Sequence, residues 1–208
     1  MTTRDQNMKF EGKPRLMVVI ASIREGRVGK AVGEWFTGFA TEHGSFDITV
    51  ADLKEIDLPP MTEPNHPRLK QYTQEKTKEW SAMVDAADAF VFVMPEYNYF
   101  ATAPLISAID YLVQEWAHKP VGLVSYGGVS GGLRAAQSIK PLITSMNMMP
   151  LKDGVAIQSV SSQINGETGK FVPTDSHESS ATTMLNALVQ WEKAMHQFRV
   201  PSTVAAQV

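Results

Sequence analysis

Apolar runs alternate with amphipathic stretches along the whole chain, and together they predict five β-α units. Short runs of apolar or alternating residues predict strands at residues 16–21, 47–53, 89–94, 120–125 and 150–157. Apolar residues at helical spacing predict helices at residues 28–42, 71–87, 103–116, 131–146 and 179–198. Four prolines in residues 57–68 indicate a loop, and Asn165-Gly166 indicates a short hairpin in the connection 159–176.

The third predicted strand decides the fold class. Residues 89–94 are all apolar, which is typical of a strand buried on both faces of a parallel sheet, and Pro95 then ends the run. Five β-α units in one chain predict a doubly wound α/β fold. We expect a flavodoxin-like three-layer sandwich with a five-stranded parallel sheet in the order 2-1-3-4-5. Its single domain is expected to span residues 15–200, between a flexible arm (1–14) and a flexible tail (201–208).

The composition narrows the classes of function. The 208 residues carry a net charge of −3, so no basic footprint for nucleic acid is expected. The absence of cysteine excludes disulfides and thiol catalysis and fits a reducing, cytoplasmic location. No apolar run is long enough to span a membrane, and residues 1–12 lack the apolar core of a secretory signal. Five scattered histidines give no spacing for a metal site.

Three unusual loops follow strands one, three and four, which are neighbours in the predicted order. In the first loop, Ser22, Arg24, Arg27 and the helix N-terminus near Val28 could bind a phosphate monoester, if Glu25 points away. A solvated surface turn is the alternative. The loop has neither a Walker A motif nor a Gly-x-Gly-x-x-Gly motif, so a P-loop and a dinucleotide-binding Rossmann fold are disfavoured.

The other two loops could bind a flat ring. Pro95, Glu96, Tyr97 and Asn98 end the third strand with an aromatic, hydrogen-bonding segment, unless they simply cap the sheet. Residues 125–132 contain four glycines, which allow close approach of a ligand to the backbone or make the loop flexible. A phosphate at the first loop and a heteroaromatic ring between the other two describe flavin mononucleotide, FMN.

The three loops resemble those of the NAD(P)H-dependent FMN reductases, which include azoreductases and soluble quinone and chromate reductases. The resemblance is carried by Ser22-x-Arg24-x-x-Arg27, by residues 94–98 and by residues 125–132, and Arg27 departs from the usual Ser or Thr. It implies that Ser22, Arg24, Arg27 and the N–H groups near Val28 hold the phosphate. It also implies that Pro95, Glu96, Tyr97 and Asn98 line the isoalloxazine, while N–H groups of Ser125, Gly127 and Gly128 face its pyrimidine edge.

The reaction expected from this resemblance is a hydride relay. NADPH or NADH would reduce FMN, and a small-molecule electron acceptor would reoxidise it at the same place, with no catalytic side chain required. A flavodoxin-type electron carrier and a flavin-free binding module are the alternatives. We also expect a homodimer or homotetramer, with Tyr111 and Trp116 of the fourth helix at the interface and loop 57–68 contributing to the site.

Overall fold

Five parallel strands form the centre of the computed structural model, which describes residues 12–199. Their order is β2-β1-β3-β4-β5, which confirms the predicted topology. The strands are β1 (Arg15–Ile20), β2 (Asp47–Asp52), β3 (Ala89–Pro95), β4 (Pro120–Tyr126) and β5 (Met149–Ile157). The predicted tail 201–208 and most of the predicted arm lie outside the described residues.

Helices cover both faces of this sheet. They are α1 (Gly29–His43), α2 (Leu53–Ile56), α3 (Glu75–Ala86), α4 (Ala103–Asp110), α5 (Leu133–Ser145) and α6 (Asp175–His196). Residues of α1 and α6 build the core on one face, and residues of α3, α4 and α5 build it on the other. Every residue of β3 and β4 is therefore buried, as the unbroken apolar run in β3 predicts.

The fourth helix is shorter than predicted. It ends at Asp110, and the chain continues through a single 3-10 turn, Gln114–Trp116. Tyr111 and Trp116 are both buried within the subunit, where the Trp116 ring lies 4.8 Å from that of Phe90. The expectation that these two aromatic side chains form a subunit interface is therefore wrong, because the core of the subunit already contains them.

Smaller elements complete the connections. Helix α2 has four residues, too few to give a periodic pattern in the sequence. The predicted hairpin around Asn165 is present as an antiparallel bridge between Ile164 and Phe171. None of the helices within residues 12–199 combines the length and the apolar character needed to cross a membrane.

Candidate functional site

The three unusual loops meet around one cleft at the carboxyl edge of the sheet. The cleft has a volume of about 500 Å³ and lies beyond the ends of β1, β3 and β4. Nine of the eleven predicted site residues line it: Ser22, Arg24, Arg27, Val28, Pro95, Glu96, Tyr97, Gly127 and Gly128. Because this edge is where open α/β sheets bind ligands, the predicted position of the site agrees with the cleft.

One end of the cleft is prepared for an anion. Helix α1 begins there at Gly29, and its first turn has neither a side-chain cap nor an acidic residue. The hydroxyls of Ser22 and Tyr126 adjoin each other at this turn, and neither has a hydrogen-bond partner outside this pair within residues 12–199. Glu25 lines the cleft, but its exposed carboxylate accepts a 2.8 Å hydrogen bond from Lys54 Nζ. The free donors and the helix dipole favour a negatively charged group at this point.

The two arginines of the first loop differ in their surroundings. Arg27 donates from Nη1 and Nη2 to the two carboxylate oxygens of Asp52, each at 2.6 Å, and from Nη1 to the Ser22 carbonyl. The hydrogen bonds to Asp52 raise the pKa of the guanidinium above its ordinary value. Arg24 is exposed, and its guanidinium carbon lies 5.6 Å from the centre of the Tyr97 ring. Arg24 is thus the arginine that can reach an anion in the cleft.

The second loop is a tight hairpin. Tyr97 and Phe100 exchange two backbone hydrogen bonds of 3.0 Å. Between them, Asn98 and Tyr99 have φ values of 52° and 70°, as at the centre of a type I′ turn. Asn98 is exposed and does not line the cleft, unlike the prediction. Asn98 lies in the turn, where Asn tolerates a positive φ. The turn in this way holds Tyr97 at the cleft.

Glu96 joins the second loop to the third. Its carboxylate accepts hydrogen bonds from Arg134 Nε at 2.7 Å, from Ser130 Oγ at 2.9 Å and from the backbone N–H groups of Arg134 and Ala135. Burial acts to raise the pKa of Glu96, but these hydrogen bonds outweigh burial and lower it. Arg134 in turn lies 3.8 Å above the Tyr99 ring. Glu96 is therefore a charged clamp at the N-terminus of α5.

The glycine-rich third loop differs from the prediction in two respects. Ser125 lies outside the cleft, and its hydroxyl donates to the Gly131 carbonyl at 2.9 Å. The N–H of Gly127 donates to the Ile157 carbonyl, so this group is not free to contact a pyrimidine edge. Positive φ values occur at Gly131 and Gly132, where a side chain would be strained.

Seven residues of the cleft are not among the predicted site residues, and five of them lie outside the first loop. Tyr126 is the last residue of β4, and Ser159, Val160, Ser161 and Ser162 form the loop after β5. This loop is held in place by backbone hydrogen bonds from Ser159 to Gly128 and from Val160 to Gly127. No motif marks Ser159–Ser162, because only the neighbouring positions of β4 and β5 bring this loop to the cleft.

Comparison with known proteins identifies the family of this chain. Residues 14–162 match the family described as NADPH-dependent FMN reductase. The chain belongs to this family. An NAD(P)H-dependent FMN reductase of Schizosaccharomyces pombe is 38% identical over 139 residues, which cover 66% of this chain and 68% of that protein. An NAD(P)H:quinone oxidoreductase of Solanum tuberosum is 32% identical over 99 residues, covering 46% and 51% of the two chains.

The fold of this FMN reductase is also found in solved structures. The flavoenzyme FerB, an NAD(P)H:(acceptor) oxidoreductase from Paracoccus denitrificans, superposes with a TM-score of 0.70 at 17% identity. The superposition covers 88% of this chain and 98% of FerB. The superposition shows the flavodoxin-like fold, and the family match shows an oxidoreductase that uses FMN and NAD(P)H.

The residues of the cleft fit FMN. The hydroxyls of Ser22 and Tyr126, together with Arg24, offer donors to a terminal phosphate. Tyr97 and the backbone around Gly128 border the part of the cleft that a ring would fill. When bound there, FMN accepts and releases hydride, and the task of the protein is to hold and orient it.

One cluster of possible metal ligands lies away from this cleft in the reductase. Ligand atoms of Asp88, Glu192 and His196 lie within 4.8 Å of one another, near the start of β3. Arg199 Nη2 occupies the same place, at 2.6 Å from Glu192 Oε1 and 3.5 Å from Asp88 Oδ1. The carboxylates are thus already neutralised by a guanidinium, and the cluster is a structural ion-pair network.

Proposed function

We propose that this reductase transfers hydride from NADPH or NADH, through FMN in the cleft described above, to a quinone. The observation that carries this proposal is the cleft itself, which joins an anion-binding end to an open, partly aromatic end. In the first half-reaction, NAD(P)H loses a hydride and leaves as NAD(P)⁺. In the second, the quinone gains that hydride and a proton from solvent to give the hydroquinone.

The side chains of the cleft would bind and orient the reactants. Arg24, Ser22 and the N–H groups at the start of α1 would hold the phosphate. Tyr97 would lie beside the ring, and Gly128 would leave room for it, because nothing lies within 4 Å of a Cβ added there. Glu96 would keep the second and third loops at a fixed separation through its contacts with Ser130 and Arg134.

The exposed hairpin next to the cleft favours an electron acceptor that is planar and apolar. Tyr99 and Phe100 are 61% and 58% exposed, which is unusual for side chains of this size. They lie on the hairpin that presents Tyr97, so they flank the path by which an acceptor would approach. Aromatic rims stack well on quinones and azo compounds, and they offer less to a hydrated metal oxyanion.

Ping-pong kinetics are expected, because one open face would serve both the nicotinamide and the acceptor. The test is anaerobic reduction of the FMN-loaded protein by NADPH and by NADH, followed by a panel of quinone, azo dye, free flavin and chromate. Bleaching of the flavin colour and parallel double-reciprocal lines are expected, with the quinone reacting fastest. Intersecting lines would contradict the shared face, and a lack of bleaching would favour an electron carrier.

We further propose a homodimer or homotetramer in the cytoplasm. An apolar groove of about 500 Å³ supports self-association, because a second subunit could cover its apolar surface. The groove lies beside the first loop, between Leu58, Pro59 and the start of α4. This groove includes part of loop 57–68, the segment expected to contribute to the site. Light scattering coupled to gel filtration measures the oligomer directly, and a monomer at micromolar concentration would contradict the proposal.

A further inference from the structure

We infer that the hydroxyl of Tyr126 is a ligand of the FMN phosphate and sets the preference of the reductase for FMN over riboflavin. This inference rests on the proposed binding of FMN in the cleft. It assigns a specific role to the last residue of β4, for which none is predicted from the sequence. It also separates the binding of the phosphate from the binding of the flavin ring.

The first observation is that Tyr126 is buried although its hydroxyl has no hydrogen-bond partner beyond the neighbouring Ser22 hydroxyl. Its side chain lines the cleft and is 3% exposed, and Ser22 beside it is 1% exposed. Within residues 12–199 neither hydroxyl has a hydrogen-bond partner outside this pair. One hydrogen bond between the two still leaves one O–H donor free, and a buried free donor at the wall of a cleft points to a ligand.

The second observation is the place that the two hydroxyls share. A Cβ added at Gly29 would lie 2.2 Å from Ser22 Oγ and 2.2 Å from the Tyr126 hydroxyl. Both oxygens therefore adjoin the first residue of α1, where the helix offers N–H groups without intrahelical partners. The helix is 15 residues long, so its dipole adds to the attraction of an anion.

The polar groups at this end of the cleft that remain available are all hydrogen-bond donors, so the ligand should be rich in acceptors. The α1 N–H groups and the two hydroxyls can donate, Arg24 adds a positive charge, and the carboxylate of Glu25 is turned to Lys54. A phosphate monoester presents several acceptor oxygens at one tetrahedral centre and suits this set. Burial raises the pKa of Tyr126, so the phenol keeps its proton and remains a donor.

The ion pair between Arg27 and Asp52 supports a phosphate-binding role for Tyr126. Two nitrogens of the Arg27 guanidinium are hydrogen-bonded to Asp52, and only 7% of its side chain is exposed. A second arginine is therefore not freely available to the phosphate. The tyrosine hydroxyl supplies a donor from the end of β4, in addition to Arg24 from the first loop.

The test is Tyr126→Phe, with FMN and riboflavin titrated separately by flavin fluorescence. The loss of one hydrogen bond to a charged group should weaken FMN about tenfold or more and leave riboflavin unchanged. The matched control is Tyr111→Phe, which also removes one buried phenol oxygen, but one bonded to the Pro59 carbonyl and remote from the cleft. This control should leave the ratio of the two affinities unchanged.

The unfolding of the flavin-free protein in urea gives a second readout. Tyr126→Phe removes an oxygen that has no partner beyond the Ser22 hydroxyl and should change the midpoint little, whereas Tyr111→Phe breaks a hydrogen bond to a backbone carbonyl and should lower it. If Tyr126→Phe lowers the midpoint and leaves the FMN-to-riboflavin ratio unchanged, the hydroxyl is structural and the inference is overturned. If the wild-type protein binds no FMN at all, the proposed function itself fails.

Discussion

Arg27 and Asp52 face each other across the first loop as a two-point ion pair, with both nitrogen–oxygen distances at 2.6 Å. Asp52 ends β2 directly opposite Ile20, the last residue of β1. The pair therefore ties the loop after β1 to the edge strand of the sheet. Asp52 also accepts a hydrogen bond from the Lys54 N–H and so begins α2.

The first prediction contrasts the two arginines. Arg27→Ala should lower the free energy of unfolding by about 3 kcal/mol, because it leaves a largely buried carboxylate unpaired. Arg24→Ala should leave stability unchanged and weaken FMN binding roughly tenfold to a hundredfold. Urea unfolding and fluorescence titration measure the two effects, and Lys30→Ala in the exposed first turn of α1 is the control. A stable Arg27→Ala that has lost FMN would instead assign the phosphate to Arg27.

The second prediction concerns the clamp at Glu96. Glu96→Gln replaces one acceptor oxygen with a donor that faces Arg134 and Ser130. It should cost about 2 kcal/mol of stability and weaken FMN and riboflavin alike, because it loosens two walls of the cleft. Glu75→Gln, which breaks only an exposed ion pair with Lys78 outside the cleft, is the control. Equal stability of Glu96→Gln and the wild type would contradict the clamp.

The third prediction is a pH dependence that resides outside the cleft. Glu63 accepts hydrogen bonds from the N–H groups of Thr73 and Gln74, just before α3. Burial acts to raise its pKa, but these hydrogen bonds outweigh it and lower the pKa from 4.5 to about 2. A lowered pKa means that the stabilisation is present above pH 4.5 and is lost as the pH falls towards 2.

Glu63→Gln should remove this dependence. Urea midpoints of the wild type and the variant should differ at pH 7 and converge as the pH is lowered through this range. Glu75→Gln, in the exposed first turn of α3, serves as the matched control. A constant difference between the wild type and Glu63→Gln at every pH would show that the carboxylate charge does not stabilise the loop.

The fourth prediction compares two glycines of α1. Gly29→Ala places a methyl group 2.2 Å from two hydroxyls and should abolish detectable FMN binding. Gly38→Ala lies in the same helix with nothing within 4 Å of the added Cβ, and it should raise stability by about 0.5–1 kcal/mol. Calorimetric titration with FMN and thermal unfolding measure both effects. Unimpaired FMN binding by Gly29→Ala would move the phosphate away from α1.

The sheet could be predicted from the sequence because strands that are buried on both faces consist of continuous apolar residues. The apolar run before Pro95 is continuous, since helices cover both faces of β3. The same record is misleading at α4, where residues after Asp110 are apolar because they enter the core on a non-helical path. Periodicity reports which side chains are buried, and it does not report where the helical backbone stops.

The site could be predicted only as far as its loops carry their own motifs. Arg27 was assigned to the phosphate because its partner, Asp52, comes 25 residues later and meets it only through the pairing of β1 with β2. Tyr126 belongs to the predicted third loop but receives no predicted role, because sequence position alone does not show where its side chain points. Its hydroxyl acquires a meaning only when Gly29 and Ser22 are placed beside it.

The buried hydroxyls of Ser22 and Tyr126 have a consequence for the life of the protein in a cell. On the inferred binding mode, the flavin-free protein would carry an energetic penalty that the FMN phosphate relieves, so flavin supply would govern how much folded reductase persists. A ligand at 100 times its dissociation constant stabilises the folded state by about 2.7 kcal/mol. A shortage of riboflavin would thus lower the abundance of the enzyme through degradation, in addition to leaving it without its cofactor.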